Sequence, residues 1–480
     1  MENRERTGSL RQLFAGITAM LVPAILLTLL SGCGGGSGAP VSSQPTPNSA
    51  KQTVQVNMGD SPSDWMLAFS MNITSMSLTG SNGSATVVSV ATPMEMMHLM
   101  GVMQPLAMIN VPQGTYTGAT ITIGSATVAY MDPNTKNLVQ ATIPGPITGT
   151  INFGSGITVG STPMAIGFDL DLADSVTMST GGSLSMMPVF HVSSGAQGSG
   201  APSDFMDGGI GQMMGSITGV SGSSFTMTSM QAAQSFTFST NSSTVFSGAS
   251  MSSMGNGMVV MVDATLQPDG SLLATRVQSM MSGGGAMGGG VLTAVSGSPI
   301  SALTMVMQNG AGNGMMSSYF ASGITVNLSG STTYQIDSDG IELSGLPFTP
   351  AFDASHIYPG QRVMPISSTG MMSGGMGGGM MGGNNGTLTA SEVMLAPQGV
   401  SGTAGAAISS GTTSNFTMTL PSDCALTTMT GAQRITVFQQ QGTVVSGTSP
   451  IAAGSSVHAF GLLFFDGGQW KMVAARIGAN

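Results

Sequence analysis

The chain has 480 residues and a formal net charge of −10, with only 6% of residues charged and 5% aromatic. Ten Lys plus Arg against twenty Asp plus Glu exclude a nucleic-acid binder, because neutralising phosphates takes many cations. A hydrophobic share of 41% is enough for real cores and excludes a charged disordered chain.

Residues 1–32 read as an export signal. Arg4, Arg6 and Arg11 make a basic start, and an apolar run from Leu13 to Leu30, broken once by Pro23, follows. The run is short for a flat membrane span. It closes on Leu30-Ser31-Gly32-Cys33, which resembles the lipobox of bacterial lipoproteins. The resemblance implies cleavage before Cys33, lipid attached to its sulfur, and anchoring to a membrane through that lipid. Gly34 stands where an Asp would resemble an inner-membrane retention signal, so the expected address is the outer membrane, facing the periplasm or the cell surface. Cleavage leaves seven basic and eighteen acidic side chains. Cys424 then has no partner, so the fold must be held by its cores and not by disulfides. Residues 33–51 are rich in Gly, Ser, Pro and Gln and read as a flexible tether.

Residues 52–200 read as a β-sandwich. Thr53 to Met58 and Ala68 to Leu78 alternate apolar and polar residues, and Gly-rich breaks recur at Ser81-Asn82-Gly83 and Pro112-Gln113-Gly114. The exception is Pro93 to Met103, where Met96, Met100 and Met103 fall at helical spacing after Thr92, a possible cap. Three pieces in order, Gly59-Asp60-Ser61-Pro62-Ser63-Asp64-Trp65, Met71–Leu78 and Val111-Pro112-Gln113-Gly114-Thr115-Tyr116, resemble the lipoprotein family of domain of unknown function 4382. That resemblance covers roughly 52–192, implies a transthyretin-like or Ig-like sandwich, and carries no established chemistry.

The remainder repeats itself. Gly215–Gly222 and Gly290–Gly297 open two units alike, and Asp269–Val277, Asn385–Val393 and Gly467–Ile477 close three units alike. Asp-Gly and Asn-Gly suit tight hairpin turns. Gly257, Gly360 and Gly454 each precede a further strand pattern. The units, 213–279, 288–396 with Gly/Met-rich insertions, and 398–480, resemble domain of unknown function 5666. Each reads as a five- or six-stranded, OB-like barrel. The expected architecture is therefore all-β: a sandwich and then three small barrels.

Methionine is the compositional outlier, at 43 residues. Met371, Met372, Met376, Met380 and Met381 lie in a Gly loop able to wrap a soft ion such as Cu(I) or Ag(I), and Met94, Met96, Met97, His98, Met100 and Met103 form the densest Met/His cluster. The plainer reading is that Met fills irregular cores. His98, His191, His356 and His458 are far apart and show no zinc spacing. Asp169/Asp171 and Asp337/Asp339 are too few carboxylates for a calcium loop. Asp60 and Asp64 read as turn residues capping local amides, and Trp470 as a core position on the last strand. Neither a nucleophile elbow nor a phosphate loop occurs. The sequence points to a lipid-anchored envelope protein with a non-enzymatic structural or binding role, bound to a membrane and to an envelope protein or polymer. The alternative is soft-metal buffering by the Met-rich loop.

Overall fold

Alternation of apolar and polar residues sets nearly every element, and the result is all-β. The architecture comes from a computed structural model that describes residues 50–61, 63–179, 181–196, 209–230, 234–279, 288–308, 323–338, 340–366, 387–410, 413–447 and 450–479. All belong to one compact unit, 49–480. No helix among them is long and apolar enough to cross a membrane.

The first eleven strands are β1 (Lys51–Ser61), β2 (Met66–Gly80), β3 (Gly83–Val88), β4 (Thr92–Glu95), β5 (Met103–Pro112), β6 (Gly114–Met131), β7 (Leu138–Val159), β8 (Met164–Asp171), β9 (Val176–Met178), β10 (Leu184–Met186) and β11 (Phe190–Ala196). One sheet runs β11-β8-β1-β5, with β1 and β8 parallel. The other runs β3-β2-β6-β7, with β4 on β2. Val54, Val56 and Met58 of the first sheet share one core with Phe69, Met71, Ile73, Ile121 and Ile123 of the second. Fully burying each such side chain is worth about 1.5–3 kcal/mol. A short helix, α1 (Leu172–Ser175), is capped by Asp171 and follows β8.

The helix expected over Pro93–Met103 does not form. Thr92–Glu95 pairs with β2 as a strand, only Met97–Leu99 turn as a 3₁₀ helix, and Met103 already starts β5. Two causes are visible. The Glu95 carboxylate takes the N–H groups of Met97 and His98, competing with a helical ladder. Met94, Met96, Met97, Leu99, Met100 and Met103 are all buried, so the segment has no polar face to offer solvent.

Three sheets follow. The first holds β12 (Gly209–Ser221), β13 (Ser224–Ser229), β14 (Ser235–Ser239), β15 (Val245–Ser247), β16 (Val259–Leu266) and β17 (Leu272–Ser279). The second holds β18 (Gly290–Ser296), β19 (Ala302–Met307), β20 (Gly323–Asn327), β21 (Thr333–Ile336), β22 (Arg362–Ile366), β23 (Thr387–Thr389) and β24 (Glu392–Leu395). The third holds β25 (Gln398–Ala404), β26 (Ile408–Ser410), β27 (Thr413–Thr419), β28 (Arg434–Gly447), β29 (Ser456–Asp466) and β30 (Gln469–Ala479). A helix, α2 (Ala425–Thr430), sits between β27 and β28.

All three have one plan. The first closes into a ring because β14 pairs with both β13 and β17, and the third because β27 pairs with both β28 and β25. In the second, β23 and β24 take the place of one closing strand broken at Ala390-Ser391, pairing parallel with β20 and β21. Two local devices recur. Gly257, Gly360 and Gly454 have φ of 85°, 96° and 93°, and their N–H groups donate to Ile217, Leu292 and Ala404 of the opening strand. Thr244, Thr332 and Thr443 each donate Oγ1 to a carbonyl of the closing strand: Ala274 at 2.7 Å, Ala390 at 2.9 Å and Ala474 at 2.7 Å. Each of these hydroxyls also accepts from the N–H three residues earlier, that of Asn241, Ser329 or Gln440.

The cores are not equally private. The first barrel fills itself with Phe225, Phe238, Val260, Val262 and Val277, with Met108 of the sandwich half-buried against it. The core of the second extends into the third, taking Leu462, Phe464 and Val473. Between the first and second barrels lies a seam of four buried methionines. Met214 faces Met261 across one pair of strands, Met364 faces Met394 across another, and the two pairs pack together.

Candidate functional site

Where the sandwich meets the second and third barrels, Leu67, Ala68 and Ala129 pack on Val291, Val306 and Ala425. Beside this contact lies a cavity of about 50 Å³, whose lining includes Ser63, Asp64, Met97, His98, Met100, Arg362, Cys424 and Met429. Short segments deliver its walls: the turn after β1, the 3₁₀ turn, the start of β22, and α2.

Glu95 organises one wall. It is fully buried, and its Oε1 accepts from the N–H groups of Phe69 at 3.3 Å and Met97 at 3.1 Å. Its Oε2 accepts from His98 N at 3.0 Å and lies 2.8 Å from His98 Nδ1. Both carboxylate oxygens already accept backbone N–H groups, so Oε2 accepts from Nδ1 as well, and Nδ1 carries the hydrogen that points at Glu95. The other ring nitrogen, Nε2, is buried without a hydrogen-bond partner among the described residues, as is Ser63 Oγ.

Arg362 forms the opposite wall. Its Nε donates to Gln308 Oε1 at 3.1 Å and its Nη1 to the Pro397 carbonyl at 2.8 Å. Burial lowers the Arg362 pKa, with Glu95 and Asp337 opposing. Asp64 closes the outer side. Burial pushes its carboxyl up to about 6, against hydrogen bonds from Ser401. Burial also pushes the Cys424 thiol up to about 11, so little nucleophilic thiolate forms there.

A second polar group lies around the end of β1. Asp60 is buried with neither carboxylate oxygen hydrogen-bonded among the described residues, and burial, then Asp169, Glu95 and Asp171, raise its pKa well above the usual range. Asp169 accepts from Ser61 Oγ at 2.6 Å, and Asp171 lies 3.4 Å from His191 Nε2. His458 of the third barrel faces this group; burial lowers its pKa, with Asp171 and Asp169 opposing. Its Nδ1 is 2.7 Å from Ser401 Oγ, its cross-strand neighbour in the β25–β29 pair. An open groove of about 620 Å³ on the second barrel is lined by Tyr334, Tyr358, Ile357 and Asp353, with Asp353 held down at about 2 chiefly by the Ser355 hydroxyl.

The sequence-derived candidates fare differently. Cys33, Met371, Met372, Met376, Met380 and Met381 lie outside the described residues, as does Asp339. Asp60 and Asp64 are not local turn caps: one is buried without a hydrogen-bond partner among the described residues, and the other accepts from Ser401 N at 2.9 Å. Asp337 lies 3.8 Å from Arg276 Nη2, linking the second barrel to the first. Trp470 is buried on β30, as its pattern predicts. Among the described residues no three His, Cys, Asp or Glu side chains converge as a metal set. The Thr244, Thr332 and Thr443 devices escaped the sequence reading, although their spacing from Asn241, Ser329 and Gln440 was there to align.

No curated protein matches the chain. Residues 214–278, within the first barrel, match the model of a family described as a domain of unknown function (DUF5666), and this stretch is similar to that family.

Proposed function

We propose that the protein is exported and held at the outer membrane by lipid on Cys33, with a non-enzymatic structural or binding role. The sandwich and three OB-like barrels work as one platform in this reading. The observation that carries it is the set of buried and half-buried polar ties between modules. Gln308 Nε2 donates to Leu67 O at 2.9 Å, Gln361 Nε2 to Leu463 O at 3.0 Å, and Ser401 N to Asp64 Oδ1 at 2.9 Å. Modules that moved independently on linkers would leave such groups to water. The non-enzymatic part is supported by Cys424, whose thiol stays protonated, and by Ser401, which is buried within a sheet pair.

The experiment is metabolic labelling with a palmitate analogue, followed by membrane fractionation, for wild type and Cys33→Ser. The expected result is labelled, membrane-bound wild type and an unlabelled, unprocessed variant. Equal labelling of the two overturns the anchor.

A further inference from the structure

We propose that the cavity between the sandwich and the second and third barrels is a binding site for a soft monovalent metal ion, Cu(I) or Ag(I), with His98 Nε2, Met97 and Met100 as ligands. This stands apart from the anchoring reading and from the Met371–Met381 loop.

The first observation is the imidazole. Glu95 lies 2.8 Å from Nδ1 and fixes it as the hydrogen-bearing nitrogen, so in the neutral imidazole the lone pair sits on Nε2. A buried imidazole held by a carboxylate, its other nitrogen without a hydrogen-bond partner among the described residues, is the arrangement that orients histidine toward a metal. The second observation is the lining. Met97, Met100, Met66 and Met429 surround the same cavity, and thioethers select soft ions. Zinc and calcium want anionic or imidazole sets, and among the described residues no three His, Cys, Asp or Glu side chains form one.

Space agrees with this. About 50 Å³ admits a bare ion, and the walls are already built, so no chain has to be ordered on binding. Glu95 lies behind His98, while Asp64 and Arg362 line the cavity. The neutral imidazole and the thioethers are both uncharged donors.

The test is an anaerobic Cu(I) titration of the full chain against a chromophoric competing chelator. Wild type is compared with Met97→Leu/Met100→Leu, with His98→Gln, and with a variant carrying Leu at all five loop methionines 371, 372, 376, 380 and 381. Leu conserves volume and should preserve the fold, which circular dichroism checks. Wild type should hold one ion at this site, and losing its ligands should weaken that site by at least about tenfold. The loop variant should keep it. Copper-edge absorption should show nitrogen and sulfur together in the ion's shell. Identical curves for wild type and both cavity variants, or a cavity holding water only, overturn the proposal. So does loss of the site in the loop variant alone.

Discussion

The backbone N–H of Ser401 donates to Oδ1 of Asp64 at 2.9 Å, joining residues 337 positions apart in the chain. The bond ties the third barrel to the turn after β1. It also sets a pH dependence. Burial, with a smaller push from Asp423, raises the Asp64 pKa from 3.8 to about 6, against two contacts from Ser401; Cys424 nearby stays a neutral thiol. Between those values the folded carboxyl keeps a proton that the unfolded one has lost. Stability therefore falls as pH rises from about 4 to about 6. Asp64 is half-buried, so its share is about 1–2 kcal/mol. Asp64→Asn should flatten that part of the slope and raise the melting temperature above pH 6. Melting curves from pH 4 to 7 with equal slopes for both proteins would refute the assignment. Asp60, also raised by burial, keeps some slope in the variant.

The threonine devices should be structural. Thr332→Ala leaves the Ala390 carbonyl and the Ser329 N–H unpaired in a closed ring. The expected cost is about 1–3 kcal/mol. Thr332→Ser should restore most of it, since the hydroxyl and not the methyl makes both bonds. Urea unfolding of the two variants checks this; equal destabilisation by Ala and Ser would sink it.

Gly360 and Gly454 separate strain from collision. Both have φ above 90°, so Ala at either costs about 1–2 kcal/mol in backbone terms. At Gly454 a methyl group meets nothing within 4 Å, whereas at Gly360 it falls 2.3 Å from Leu426 Cδ1 of the third barrel. Leu426 is buried and has little room to yield. Gly360→Ala should therefore destabilise more than Gly454→Ala, by at least about 1 kcal/mol. Chemical denaturation midpoints decide it.

Fragments should not behave alike. Residues 209–279 own their core and should fold alone, near the lower size limit for a stable domain. Residues 288–396 should not, because Leu462, Phe464 and Val473 complete their core. A fragment of 288–480 should fold. Dispersed amide spectra from 288–396 alone would contradict this.

Much of the fold was legible. The period-two runs gave β strands, and Gly257, Gly360 and Gly454 marked the entry to an equivalent strand in each barrel. The cavity was not legible. Its parts come from Asp64, His98, Arg362 and Cys424, and no local pattern connects four residues spread over 360 positions. The Met96/Met100/Met103 spacing misled because a segment buried on every side carries helical periodicity without amphipathic meaning. Asp60 and Asp64 misled because turn chemistry and burial look the same in a sequence until the neighbours are known.

The four methionines between the first two barrels make that seam sensitive to redox chemistry. A sulfoxide on Met214, Met261, Met364 or Met394 would put a strong acceptor dipole where the opposite barrel offers mainly thioether carbon and sulfur. Reductases that restore the thioether need access that the closed seam denies. Oxidant damage there would persist until the barrels parted, so the first barrel is the one that oxidation would loosen first.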